Sequence, residues 1–249
     1  MISKYFPVVK RAKLGDEEEK EDKATALGNP FCAPAPNKYR CRFQSTCEEC
    51  FLTSQACKHF KPVRLKLLLV GINPSVSASS FSSPRMWKLL TGQLGGVEFD
   101  GLLPKSLDVT AQNELPSQYQ IGFADIGLLP ENDAAKVDVK PWIASFYARL
   151  ARHVKDVQLA EGTDEYKGPN CLAFTGKGQF QALYPGGVKQ LEFGVLGDRV
   201  AWPANFPISR AHTKIFILPS SSGRAVMTHA ERIAPYSALA QFVKEMQDS

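Results

Sequence analysis

Two short loops carry the residue types from which a reaction site could be assembled. Gly71-Ile72-Asn73-Pro74-Ser75 follows the apolar run Leu65-Lys66-Leu67-Leu68-Leu69-Val70, and Pro219-Ser220-Ser221-Ser222-Gly223-Arg224 follows Lys214-Ile215-Phe216-Ile217-Leu218. One loop offers a carboxamide; the other offers hydroxyls and a cation. That set suits a polyanionic substrate better than a small apolar one. In open α/β sheets, ligands sit where loops leave the carboxyl ends of parallel strands, so loops about 150 residues apart can converge on one crevice.

The elements that must position these loops follow from the apolar pattern. Four runs read as strands: Leu65 to Ile72, Tyr119 to Ile126, Asn170 to Thr175 and Lys214 to Leu218. Helical patterns lie between or after them, at Arg85 to Thr91, Pro141 to His153, Gly178 to Leu183 and Ala230 to Met246. Gln190 to Pro207, broken by Gly194, Gly197 and two prolines, reads as irregular chain or a short hairpin. Alternating strands and helices predict a three-layer α/β domain, a mainly parallel four-stranded sheet flanked by helices. Its span is 62–249, behind an arm over 1–30 expected to be disordered and a cysteine-rich segment over 31–61.

Three segments, in order, carry a resemblance: Gly71-Ile72-Asn73-Pro74, Ile121-Gly122-Phe123-Ala124-Asp125-Ile126, and Leu218-Pro219-Ser220-Ser221-Ser222-Gly223-Arg224-Ala225. They resemble the signature regions of the thymine-DNA and mismatch-specific uracil-DNA glycosylases, over about Leu65 to Gln247. Phe174-Thr175-Gly176-Lys177 and Leu191-Glu192-Phe193-Gly194 resemble that family's intervening chain. The resemblance implies a uracil-DNA glycosylase-like fold and a monofunctional glycosylase of base-excision repair. It would act in the nucleus as a monomer on double-stranded DNA, removing uracil or thymine opposite guanine.

Each residue has a chemical reading beside the implied one. Hydrolysis of an N-glycosidic bond needs a polar group that holds water near the anomeric carbon and a grip on the extruded nucleotide. A carboxamide is too weak a base to deprotonate water, so Asn73 would orient it, the role the resemblance implies; Asn-Pro is also a common turn initiator. Asp125 at a strand end could accept the imide N–H of uracil or thymine, or cap a turn. With Ile72 contributing backbone, it would complete a base pocket. Phe81 would stack on the base or pack in the core, and the loop between Asn73 and Trp87 is shorter than in the family, with Ser75 at its usual second glycine. Ser220, Ser221, Ser222 and Gly223 would grip phosphates, while Arg224 would fill the gap left by the flipped nucleotide. Taken alone, a serine-rich loop is also an ordinary solvated connector. His212 and His229 fit no Ser/His/Asp order, and no lysine stands in these motifs as a Schiff-base nucleophile.

The amino-terminal region adds two features. Cys41, Cys47, Cys50, Cys57 and His59 supply enough ligands for a structural zinc ion, although reduced thiols or an iron–sulfur cluster fit the same spacing. Catalysis requires no cofactor on this reading. Ile2, Tyr5 and Phe6 resemble the hydrophobic plug of a sliding-clamp interaction peptide without its upstream glutamine, or form a plain amphipathic terminus.

The bulk numbers bound these readings. With 249 residues and 44% hydrophobic content, the chain can bury one substantial core. A net charge of +5 permits nucleic-acid contact without demanding it. No apolar run approaches the ~18 residues of a membrane span, and no secretory pattern opens the chain, so an intracellular protein without a membrane partner is expected. A non-catalytic mismatch-DNA-binding protein and a uracil glycosylase of another branch are the competing readings. A nucleotide-binding enzyme lacks its Gly-x-Gly-x-x-Gly or phosphate loop after the first strand.

Overall fold

Leu67–Gly71 is buried at every position because it lies between two parallel neighbours with both faces covered, which is why it reads as an unbroken apolar run. The computed structural model describes residues 62–73, 84–109, 111, 114–127, 131, 133, 136–184, 190–221 and 226–246. The arm and the cysteine-rich segment lie outside them.

In chain order, β1 (Leu67–Gly71) is followed by α1 (Pro84–Leu90), a small hairpin of β2 (Gln93–Leu94) and β3 (Val97–Glu98), and α2 (Leu115–Tyr119). Next come β4 (Ile121–Asp125), α3 (Ile143–Glu161), β5 (Cys171–Phe174) and α4 (Lys177–Ala182), then β6 (Gly194–Val195), β7 (Lys214–Ile217) and α5 (His229–Glu245). The main sheet has the order β4-β1-β5-β7-β6. All its pairings are parallel except β6 with β7.

The expected sheet of four strands is therefore corrected to five among the described residues. β6 is only two residues long, with Gly194 at φ +108° and Val195 exposed, so backbone pairing defines it and no apolar alternation could announce it. It lies in the stretch read as irregular chain or a short hairpin. The small hairpin was also missed; its Gly95-Gly96 turn has φ of 61° and 80°, the left-handed pair that two-residue hairpins favour. The helix expected over Pro141 to His153 opens as a 3₁₀ turn at Lys140–Trp142 and continues to Glu161, stopping where Gly162 adopts φ +66°.

Period-two alternation divides the core into two halves, which makes the three layers. Leu68, Val70, Leu172, Phe174, Ile215 and Ile217 face Phe146 and Leu150 of α3 and Phe180 of α4. Leu67, Leu69, Phe123, Ala173 and Phe216 face Trp87 and Leu90 of α1, Leu115 at the start of α2, and Tyr236 and Leu239 of α5. Crossovers to one side of β1 run over one face and those to the other side run over the opposite face, which keeps their handedness constant.

Polar groups also occupy the buried stripe of α3. His153 Nε2 lies 3.1 Å from Tyr166 Oη, which accepts the Leu65 N–H at 3.3 Å, so the pair fastens α3 to the chain leading into β1. Burial pushes the His153 pKa down to about 4, so the folded ring stays neutral. The unfolded ring protonates near its ordinary value of about 6.5. Stability carried by the neutral ring is therefore present above that value and is lost as pH falls toward 4, by up to about 3 kcal/mol. Urea midpoints should fall between pH 6.5 and 4 in the native protein and flatten in His153→Gln; parallel curves for the two would refute this assignment.

Candidate functional site

Because β4, β1, β5 and β7 are parallel, the residues leaving them gather along one edge of the sheet. Asp125 ends β4 and is paired in register with Gly71, two residues before Asn73. Thr175 and Gly176 leave β5, and Ser220 and Ser221 leave β7. With strands about 4.8 Å apart, Asn73 and the serines are two strand spacings, roughly 10 Å, from each other across the edge. The first described helix after β1, α1, packs on one face of the sheet and the first after β5, α4, on the other, so Asn73 and Thr175 stand where successive helices change faces. Open sheets of this kind form their crevice there.

The ladder continues past β1 as far as Ile72, the residue before Asn73. Gly71 accepts the Ile126 N–H at 3.1 Å, and Ile72 accepts the Gly127 N–H at 2.8 Å. A Cβ on buried Gly127 would stand 3.3 Å from the Ile72 carbonyl oxygen, which is tight enough to favour glycine there. Half-buried Asn73 donates from Nδ2 to the Glu131 carbonyl at 2.8 Å, so the loop after β4 holds the side chain and sets which branch of the amide is acceptor. On the other side of β1, Thr175 donates both its N–H and its hydroxyl to the Val70 carbonyl, at 2.9 and 3.1 Å.

Asp125 is buried, and a cation stands behind it. Arg149 of α3, also buried, donates from Nη2 to the carbonyls of Asp125 and Ile126 at 2.8 and 2.9 Å. Burial pushes its pKa down to about 10, and the Asp125 charge opposes that shift. The guanidinium also lies over the Phe146 ring, 5.6 Å from its centroid.

At the far side of the edge, Ser220 and Ser221 are half-buried. The Pro219 carbonyl accepts Tyr236 Oη, and the Ser220 carbonyl accepts Arg232 Nη1. Thr228 and Glu231 form a reciprocal capping box that fixes the first turn of α5. His229 follows the cap; it is exposed, and its ring occupies the space a Cβ on Gly95 would need, so the hairpin tip abuts the start of α5. His212 is exposed on the stretch leading into β7, at the opposite edge.

The structure thus brings Ile72, Asn73, Asp125, Ser220 and Ser221 to one edge. Phe81, Ser222, Gly223 and Arg224 lie outside the described residues, as do Cys41, Cys47, Cys50, Cys57, His59 and the plug residues Ile2, Tyr5 and Phe6. Among the described residues no group of three His, Cys, Asp or Glu is placed to hold a metal, and no helix is long and apolar enough to cross a membrane. Cys171 is fully buried in β5, where burial pushes its thiol pKa well above the ordinary value. No family model matches the chain, and no curated protein is significantly similar to it.

Sequence reasoning passed over Arg149, Arg232 and the Glu131 carbonyl. The first left a signal: Phe146, Arg149, Leu150, His153 and Val157 recur at helical spacing, so a cation and an imidazole sit on a core-facing stripe. Arg149→Met should leave two buried carbonyls without their shared donor and cost about 3 kcal/mol in urea denaturation. An unchanged midpoint would show that the clamp is dispensable.

Proposed function

We propose that this edge is the active site of a monofunctional DNA glycosylase with a uracil-DNA glycosylase-like fold, removing uracil or thymine opposite guanine. The observation that supports the reading is that Asn73 follows β1 two residues beyond the Gly71–Asp125 pair, at the same sheet edge as Asp125, with its Nδ2 fastened to a carbonyl. An amide held in that way presents its Oδ1 as acceptor. Water donating to it is aligned toward the anomeric carbon, while Asp125 accepts the imide N–H of the flipped base.

In the reaction, the water oxygen forms a bond to C1′ as the C1′–N1 bond breaks. The bonding electron pair leaves with the base, the water's surplus proton passes to solvent, and the product is an abasic site. The transition state carries oxocarbenium-like charge on the sugar, so positioning and electrostatics supply most of the rate. Ser220, Ser221, Ser222 and Gly223 grip the flanking phosphates, Arg224 fills the vacated stack and Phe81 covers the base. In the amino-terminal region, zinc at the cysteines and a sliding clamp on Ile2, Tyr5 and Phe6 complete the proposal.

The Asn73–Glu131 bond also favours a second reading. An amide that serves only to tie two loops together belongs to a mismatch-binding protein without turnover. Base release from duplexes carrying G·U, A·U or G·T, and from single-stranded U, separates the two. Native protein should release base preferentially opposite guanine, and Asn73→Ala should slow single-turnover release at least about 100-fold while duplex affinity is retained. Duplex binding without release from any substrate would select the binder.

A further inference from the structure

Two carbonyls leaving β7 turn inward onto one face of α5. Tyr236 Oη donates to Pro219 O at 3.1 Å, and Arg232 Nη1 donates to Ser220 O. Both side chains are only 2% exposed, and their four-residue separation stacks them one turn apart. Both peptide bonds are trans, and a trans peptide points its C=O and N–H in opposite directions. Pro219 O shares its peptide with the Ser220 N–H, and Ser220 O shares its peptide with the Ser221 N–H. Anchoring both oxygens on the α5 side therefore turns two successive N–H groups away from α5. A cation donating to a peptide oxygen also polarises that peptide and strengthens the Ser221 N–H as a donor.

We infer that Arg232 and Tyr236 form a clasp that aims the Ser220 and Ser221 amides at a backbone phosphate of the bound strand. Arg232 is a positioning residue acting through the Ser220 carbonyl. The identity of the anion as a DNA phosphate rests on the glycosylase reading; the donor geometry does not.

The test compares full-length native protein with Arg232→Met, Arg232→Lys, Tyr236→Phe and a charge control, Arg210→Met. Arg210 sits on the chain preceding β7, at the other end of that strand, paired with Asp198 at 2.9 Å. The probe is a duplex with a tetrahydrofuran abasic analogue opposite guanine. Affinity, the ¹H–¹⁵N shifts of the Ser220 and Ser221 amides, and single-turnover release from saturating G·U duplex are read together. Arg232→Met should weaken affinity about tenfold with little change in the saturated rate, Arg232→Lys should restore part of it, and Arg210→Met should match native protein. If Arg232→Met does not fold, Arg232→Lys and Tyr236→Phe decide, each expected to weaken binding and alter the two amide shifts. Folded variants that bind like native protein, or native amides that ignore the duplex, would overturn the clasp. If native protein releases no base yet both amides move and the variants bind weakly, the clasp stands and the glycosylase reading fails.

Discussion

The parallel ladders on either side of β1 are the constraint on which the rest depends. Apolar side chains of β1 commit alternately to two separate core halves, Leu67 and Leu69 to one, Leu68 and Val70 to the other. Sliding β1 by one residue against β4 would swap both sets at once, so register is held by packing on two faces as well as by hydrogen bonds. The same register places Gly71 opposite Asp125 and carries the ladder on to Ile72 and Gly127. The relative position of the amide and the carboxylate is thus set by hydrophobic burial several residues away.

A second regularity concerns strand ends. A carbonyl just beyond the last ladder bond has lost its strand partner, and burying it unpaired is costly. Here helix-borne arginines meet that need twice: Arg149 behind β4 and Arg232 behind β7. A guanidinium suits the task because its several N–H groups reach more than one acceptor and it stays charged when buried. Even with burial pushing Arg149 down to about 10, it remains a cation at neutral pH. Fixed positive charge therefore stands under two of the loops on the edge proposed to bind DNA.

What could be read beforehand follows the length and regularity of each signal. Strands β1, β4, β5 and β7 were legible because burial on both faces wrote continuous apolar runs bounded by glycine, proline or polar residues. The fifth strand was not, since Gly194 and Val195 are too few to show a period and pair at an edge. Asn73, Asp125 and the first serines of the loop were legible as side chains at strand ends. Their supports were missed: the Glu131 carbonyl is a backbone group that sequence does not mark, and Arg149 and Arg232 show only through the apolar helix stripes they share.

Cys171 has a use that its surroundings create. Its sulfur lies under the helices at the middle of the sheet, where the thiolate needed for alkylation or oxidation is disfavoured. Fraying of loops at the carboxyl edge would leave it protected, because Cys171 opens β5 at the opposite end and packs in the core half covered by α1 and α5. The thiol is thus a built-in recorder of that helical layer lifting from the sheet, a slow clock that loop motion at the carboxyl edge cannot advance.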